Sequence, residues 1–133
     1  LTRYLLDTNI ISDLVRNPGG KAAKHLERVG DGNVCTSIVV AAELRYGCAK
    51  KGSAPLLERV EYILSVVPVL PLEEPADAAY ATIRANLERE GRTIGRNDLL
   101  IAAHTISIGA TLVTANVGEF SRVDGLIVEN WLD

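Results

Sequence analysis

RYLLDTN, residues 3–9, ends an apolar run on a carboxylate. Arg3-Tyr4-Leu5-Leu6 reads as the start of a strand entering a core, and Asp7 stands where the run stops, followed by Thr8 and Asn9. Asp, Thr and Asn all favour helix starts, and Ile10-Ile11 with Leu14-Val15 supply the apolar positions of a short helix. Asp7 also has a chemical reading, because open α/β sheets bind ligands just outside the carboxyl ends of their strands. One aspartate does not choose between capping and chemistry. Other acids in equivalent places would.

Working outward, strand and helix signals alternate along much of the chain, the pattern of an α/β fold with a largely parallel sheet. Residues 3–7 form the first strand. Helices are expected over about 10–15 and 21–29, stopped by Asn17-Pro18-Gly19-Gly20 and by Gly30-Asp31-Gly32. Val34-Cys35-Thr36 is a short second strand. Ser37 reads as the N-cap of a long helix reaching about Ala49. Leu56, Leu57, Val60, Ile63 and Leu64 have amphipathic spacing, with Pro55 near the helix start. Residues 66–72 are apolar but contain Pro68 and Pro71, which suits an edge strand or an extended segment rather than a central strand. Ala76, Ala79, Tyr80, Ile83 and Leu87 mark another helix. Asn97 reads as the cap of a helix over 98–108. Residues 111–114 form an interior strand and Leu126-Ile127-Val128 the last one, leaving 130–133 as a tail.

The chain of 133 residues suits a single domain over 1–133, and 47% hydrophobic residues with no long polar tract argue against disorder. No apolar run approaches the ~20 residues of a membrane span. The N-terminus lacks a signal-peptide layout, and Cys35 and Cys48 read as reduced core thiols, so a cytoplasmic protein is expected. His25, His104 and the two cysteines lack the spacing of zinc ligands. A net charge of −3 argues against a non-specific nucleic-acid coat, but a metal-dependent nuclease must concentrate carboxylates.

Three further acids invite comparison with Asp7. Glu43 follows the run Ile38-Val39-Val40-Ala41-Ala42, on a mostly apolar helix face where a lone carboxylate is costly. Asp98 opens the most apolar helix, where capping alone could account for it. Glu119 lies three residues past Asn116, which itself follows the strand TLVT as Asp7 follows its own strand. Carboxylates pressed together repel unless cations lie between them. Oxygen ligands without His or Cys suit Mg²⁺ or Mn²⁺, and two such ions ~4 Å apart can activate water and stabilise a leaving oxygen in phosphodiester cleavage. The motifs of serine hydrolases, P-loop and dinucleotide-binding proteins and HExxH metalloproteases are absent from the sequence.

LLDTNIISDL (5–14), TSIVVAAELRYG (36–47), IGRNDLLIAAHTISIGATLVTAN (94–116) and EFSRVDGL (119–126) together resemble the PIN-domain ribonuclease toxins of the VapC type, in order and over nearly the whole chain. The resemblance implies a three-layer α/β sandwich, with a parallel sheet of four to five strands flanked by helices. It implies Mg²⁺- or Mn²⁺-dependent endonucleolytic cleavage of RNA, a transfer or ribosomal RNA being expected. The family's acids fall on Asp7, Glu43 and Asp98, with Asp7 and Asp98 closest to metal. Thr8, Asn9, Ser37 and Thr114 match positions that orient the acids. Position 116, acidic in some relatives, is Asn here, which offers an oxygen but no charge. Glu119 is the alternative source of the carboxylate. Homodimers and a small VapB-type antitoxin are the implied partners, with operator DNA reached only through the antitoxin. Arg84 and Arg96, near elements leading to the acids, are candidate RNA contacts. The alternative is a weakly active PIN module serving as a binding subunit of a DNA-bound complex. A haloacid-dehalogenase-like phosphatase would need Asp where Asn9 stands.

Overall fold

The apolar triplet before Asp7 becomes the middle of a sheet. A computed structural model describes residues 2–133. In it β1 (Tyr4–Leu6) pairs in parallel with β2 (Val34–Ser37) on one side and β4 (Thr111–Val113) on the other. Leu5, Leu6, Leu112 and Val113 are fully buried, as a parallel sheet covered on both faces requires. Each such side chain contributes about 1.5–3 kcal/mol. The edges are β3 (Val69–Leu70) and β5 (Val128–Glu129), giving the all-parallel order β3-β2-β1-β4-β5. The proline-flanked segment is thus an edge strand, as expected.

From β1 the chain builds outward through β2 to β3, then returns to add β4 on the other side of β1. The order therefore reverses between β1 and β4. Ligands of open α/β sheets bind in the crevice at such a point.

Seven α-helices flank this sheet among the described residues. They are α1 (Thr8–Arg16), α2 (Lys21–Val29), α3 (Ile38–Lys51), α4 (Ala54–Val66), α5 (Ala76–Arg89), α6 (Arg96–Ser107) and α7 (Val117–Phe120). Helices α1, α3 and α4 pack together, and α5 packs on α6. Ser37 caps α3 by accepting from the Val39 N–H at 3.1 Å. Helix α3 runs past Ala49 to Lys51, ending where Gly52 takes a left-handed conformation (φ 66°) that other residues resist.

Three expectations need correction. Asn97 is not the cap of α6. Gly95 occupies that position and accepts the Leu99 N–H at 2.9 Å, placing Arg96 and Asn97 inside the first turn. The last strand lies later than Leu126-Ile127-Val128, because the backbone pairs at Val128 and Glu129. Residues 130–133 are not a loose tail. Trp131 is buried, stacked on His25 with ring centroids 5.4 Å apart, and its indole N–H donates to Glu129. Cys35 and Cys48 are free and buried.

Candidate active site

Asp7 leaves the carboxyl end of β1 at the point where the strand order reverses. Its N–H donates to the Val113 carbonyl at 2.9 Å, fixing it against β4. Asp7 is 4% exposed, so each carboxylate oxygen needs a donor. Oδ1 accepts from the Thr8 N–H at 2.8 Å, which makes Asp7 the N-cap of α1. Oδ2 accepts from the Thr114 hydroxyl at 2.7 Å and, more weakly, from the Asn9 amide at 3.4 Å. Asn9 reaches across to accept the Ala115 N–H at 2.9 Å, tying the start of α1 to the loop after β4. Capping and site-building are thus one arrangement. Burial pushes the Asp7 carboxyl above its ordinary pKa, opposed by its hydrogen bonds to Thr114, Thr8 and Asn9 and reinforced by the charge of Glu43.

Glu43 reaches this crevice from the second turn of α3. The Thr8 hydroxyl donates to its Oε1 at 2.8 Å, and the Asn97 amide lies 3.4 Å from its Oε2. Thr8 therefore serves two acids, Asp7 through its backbone and Glu43 through its side chain. Asn97, read from sequence only as a cap, belongs to the site. Its position beside Asp98 was the available signal.

Asp98 and Glu119 hold each other. They share a hydrogen bond, and the Asp98 pKa is pushed up to about 7 by burial first, then by that bond and by the charges of Glu119, Asp7 and Glu43. Glu119 is lowered, chiefly by the Asn116 amide, which donates to it at 2.7 Å, and by the Gly95 N–H at 3.2 Å. Asn116 points its amide nitrogen at Glu119, and its backbone N–H donates to the Thr114 hydroxyl at 3.0 Å. The side chain in contact with Asp98 at this edge is that of Glu119.

Ser37 does not touch the acids. Its hydroxyl lies 2.7 Å from His104 Nδ1 in the core, so it anchors α3 to α6 rather than orienting a carboxylate. The Ser37 hydroxyl is occupied by the Val39 N–H and by His104, so its hydrogen bonds do not include the carboxylates. Among the described residues, no three acidic, His or Cys side chains close into a compact metal cage. The acids instead lie more loosely along one edge of the sheet, near enough for Asp98 to feel the charges of Glu119, Asp7 and Glu43. Arg84 and Arg96 line a cavity of about 210 Å³ between α5, the loop before α6 and the start of α6. Arg122 was overlooked in the sequence. Its guanidinium donates to the Thr93 carbonyl at 3.1 Å and its charge lowers the Glu119 pKa.

Comparison with known proteins agrees with this geometry. The PIN domain family matches residues 4–126. Ribonuclease VapC2 of Rickettsia felis is 38% identical over 96% of this chain and 97% of its own.

The chain belongs to the PIN-domain family of VapC-type ribonuclease toxins.

The tRNA(fMet)-specific endonuclease VapC of Shigella flexneri is also 38% identical, over 98% of this chain and 99% of the relative. Two solved structures share the fold over 98% of this chain and 99% of theirs. VapBC2 from Rickettsia felis, bound to a DNA fragment from its promoter, has a TM-score of 0.89 at 36% identity. DNA-bound VapBC from Salmonella typhimurium has a TM-score of 0.90 at 31% identity.

Proposed function

We propose that this VapC-type PIN domain is the toxin of a type II toxin–antitoxin pair, a divalent-metal-dependent endoribonuclease that hydrolyses phosphodiester bonds of RNA. The observation that carries the reading is the gathering of Asp7, Glu43, Asp98 and Glu119 at one edge of the sheet, close enough that burial first, then the hydrogen bond to Glu119 and the charges of the other three, push the Asp98 pKa up to about 7. Such a donor set, hard oxygens with surplus negative charge, fits Mg²⁺ or Mn²⁺. Asp7 and Asp98 would hold the ion, with Glu43, Asn116 and Glu119 completing its surroundings. When bound, the metal supplies a nucleophilic water near neutral pH and positive charge for the leaving oxygen.

The chain's own groups supply the rest. Thr114, Thr8 and Asn9 keep both Asp7 oxygens in fixed directions, so the carboxylate needs little reorganisation during reaction. Thr8 and Asn97 hold Glu43 toward the same crevice. Asp98 gives up its proton when the site takes a cation. Arg84 and Arg96 offer cationic contacts to the RNA backbone beside the acids.

The relatives' names support RNA as substrate, with a transfer RNA or ribosomal RNA the expected class. The neighbouring VapBC complexes support a VapB-type antitoxin as partner and operator DNA reached through that antitoxin; inhibition by that antitoxin, a homodimeric toxin and a cytoplasmic location complete the proposal. Asn116 is the one feature favouring a binding-only role, and Glu119 beside Asp98 counters it by supplying a carboxylate there. The test is cleavage of total cellular RNA by antitoxin-free protein with Mg²⁺, with Mn²⁺ and with chelator. Discrete fragments are expected only with metal, and folded, metal-supplied protein that leaves the RNA intact would overturn the reading.

A further inference from the structure

The cavity lined by Arg84 and Arg96 has two kinds of surface. Leu87, Ile94 and Leu99, themselves largely buried, back it with apolar groups, while Arg84, Arg96, the exposed Thr93 and the Glu88 carboxylate paired with Arg84 make up the remainder. At about 210 Å³ it is smaller than the roughly 300–1,000 Å³ pockets of drug-sized ligands, a size for one planar ring system. The Arg84 guanidinium is already positioned, by the Tyr80 hydroxyl at 2.9 Å and by Glu88 at 3.3 Å. Arg96 is exposed and makes no side-chain hydrogen bond or ion pair among the described residues, so its charge is available.

The cavity and the acids share a wall. Thr93 and Ile94 line the cavity, and the next residue, Gly95, donates its N–H to Glu119 on the acid side. Leu99 lines the cavity and adjoins Asp98. The cavity and the acids therefore adjoin along residues 93–99.

Phosphate alone does not account for an apolar lining. A nucleobase does, because its faces pack on aliphatic groups and on planar guanidinium while its flanking phosphates pair with cations. We propose that this cavity receives a single unpaired nucleobase of the RNA, next to the phosphodiester presented to the acids, with Arg84 and Arg96 holding the adjoining phosphates. This rests on the ribonuclease reading above and makes the cavity a determinant of which nucleotide lies beside the cut.

The test is photocrosslinking of the intact protein to a short single-stranded RNA carrying 4-thiouridine at successive positions, with Ca²⁺ replacing Mg²⁺, followed by mass spectrometry of the joined peptide. One position is expected to crosslink within residues 84–99. Thr93→Leu, which narrows the cavity from an exposed site, should reduce that product at least fivefold. Arg96→Ala should weaken RNA binding about tenfold and lower the salt slope of binding by about one, with partial recovery in Arg96→Lys. Crosslinks only elsewhere, equal yields in the variants, or no RNA binding would overturn the proposal. If the crosslink forms as expected but the same RNA stays uncut with Mg²⁺, the cavity assignment stands and the ribonuclease reading falls.

Discussion

The two sides of the acidic crevice are held in different ways. On the β1 side, Asp7 is buried and its oxygens are met by a backbone N–H, a threonine hydroxyl and an amide. On the α6 side, Asp98 is half-buried and its hydrogen bond is to another carboxyl group, Glu119. Donors hold the first acid in place whatever else is bound. The second is raised to a pKa of about 7 by burial, by its hydrogen bond to Glu119 and by the surrounding charges. One side is preorganised, and the other, on the proposed reading, is where a cation would displace a proton.

The largest expected effect comes from the preorganised side. On the proposed reading Asp7→Asn removes a charge that would hold metal, and a loss of about 4 kcal/mol of transition-state stabilisation corresponds to roughly a thousandfold slower cleavage. Asn still caps α1, so the far-ultraviolet circular dichroism should be unchanged. Timed cleavage of a defined RNA reads this directly, and cleavage near the wild-type rate would mean that Asp7 is structural. Next, Thr114→Val leaves Asp7 Oδ2 with only its weak amide contact. Outer-shell losses of this kind cost about 10–100-fold in metal affinity or activity. Thermal unfolding should show a cost of roughly 1–3 kcal/mol for the exposed deficit in hydrogen bonding.

How legible this arrangement was in the sequence follows the range of the interactions. Helix α2 and the Ser37 cap were readable because they depend on neighbouring residues. The end of β1 was readable because a fully buried parallel strand leaves an apolar run that a charge interrupts. Asn97 was misread because Asn at a helix start usually caps it, whereas here Gly95 does so and frees the Asn97 amide for Glu43. Ser37 was misread in the opposite sense. Its hydroxyl is consumed by Val39 and by His104, a partner far along the chain that no local pattern reveals. Trp131 gave no local signal either, since its burial depends on His25 and Tyr4. The acids themselves stood out, but only the fold shows that Glu43, from within a helix, reaches the crevice.

The α6 side supplies a pH signature. The folded pKa of Asp98, about 7, lies above the ordinary carboxylate value near 4, so the folded protein binds this proton more tightly than the unfolded chain. That contribution to stability is complete below about pH 4 and is lost as pH rises through about 7. Metal-free protein should therefore melt at a lower temperature at pH 8 than at pH 5.5, with Mg²⁺ narrowing the gap. Asp98→Asn should flatten the profile, and a profile identical to the wild type would break the contrast drawn between the two sides.

The smallest expected effect is at Asn116. Asn116→Asp replaces a donor to Glu119 with a like charge, raising the Glu119 pKa and lowering metal-free stability modestly. Metal binding should tighten several-fold, because the added charge is neutralised only by a cation. Titration calorimetry with Mn²⁺ compares the two proteins, and weaker binding in the variant would show that the Asn116 amide matters more than its charge.

The most direct test of the central claim, that these acids form one cation-dependent site, is proton release on metal binding. Mn²⁺ is titrated into antitoxin-free protein at pH 6.5 in two buffers of different ionisation enthalpy. The account predicts saturable binding that releases a large fraction of one proton, lost in Asp98→Asn. Binding without proton release, or no binding by folded protein, would contradict it.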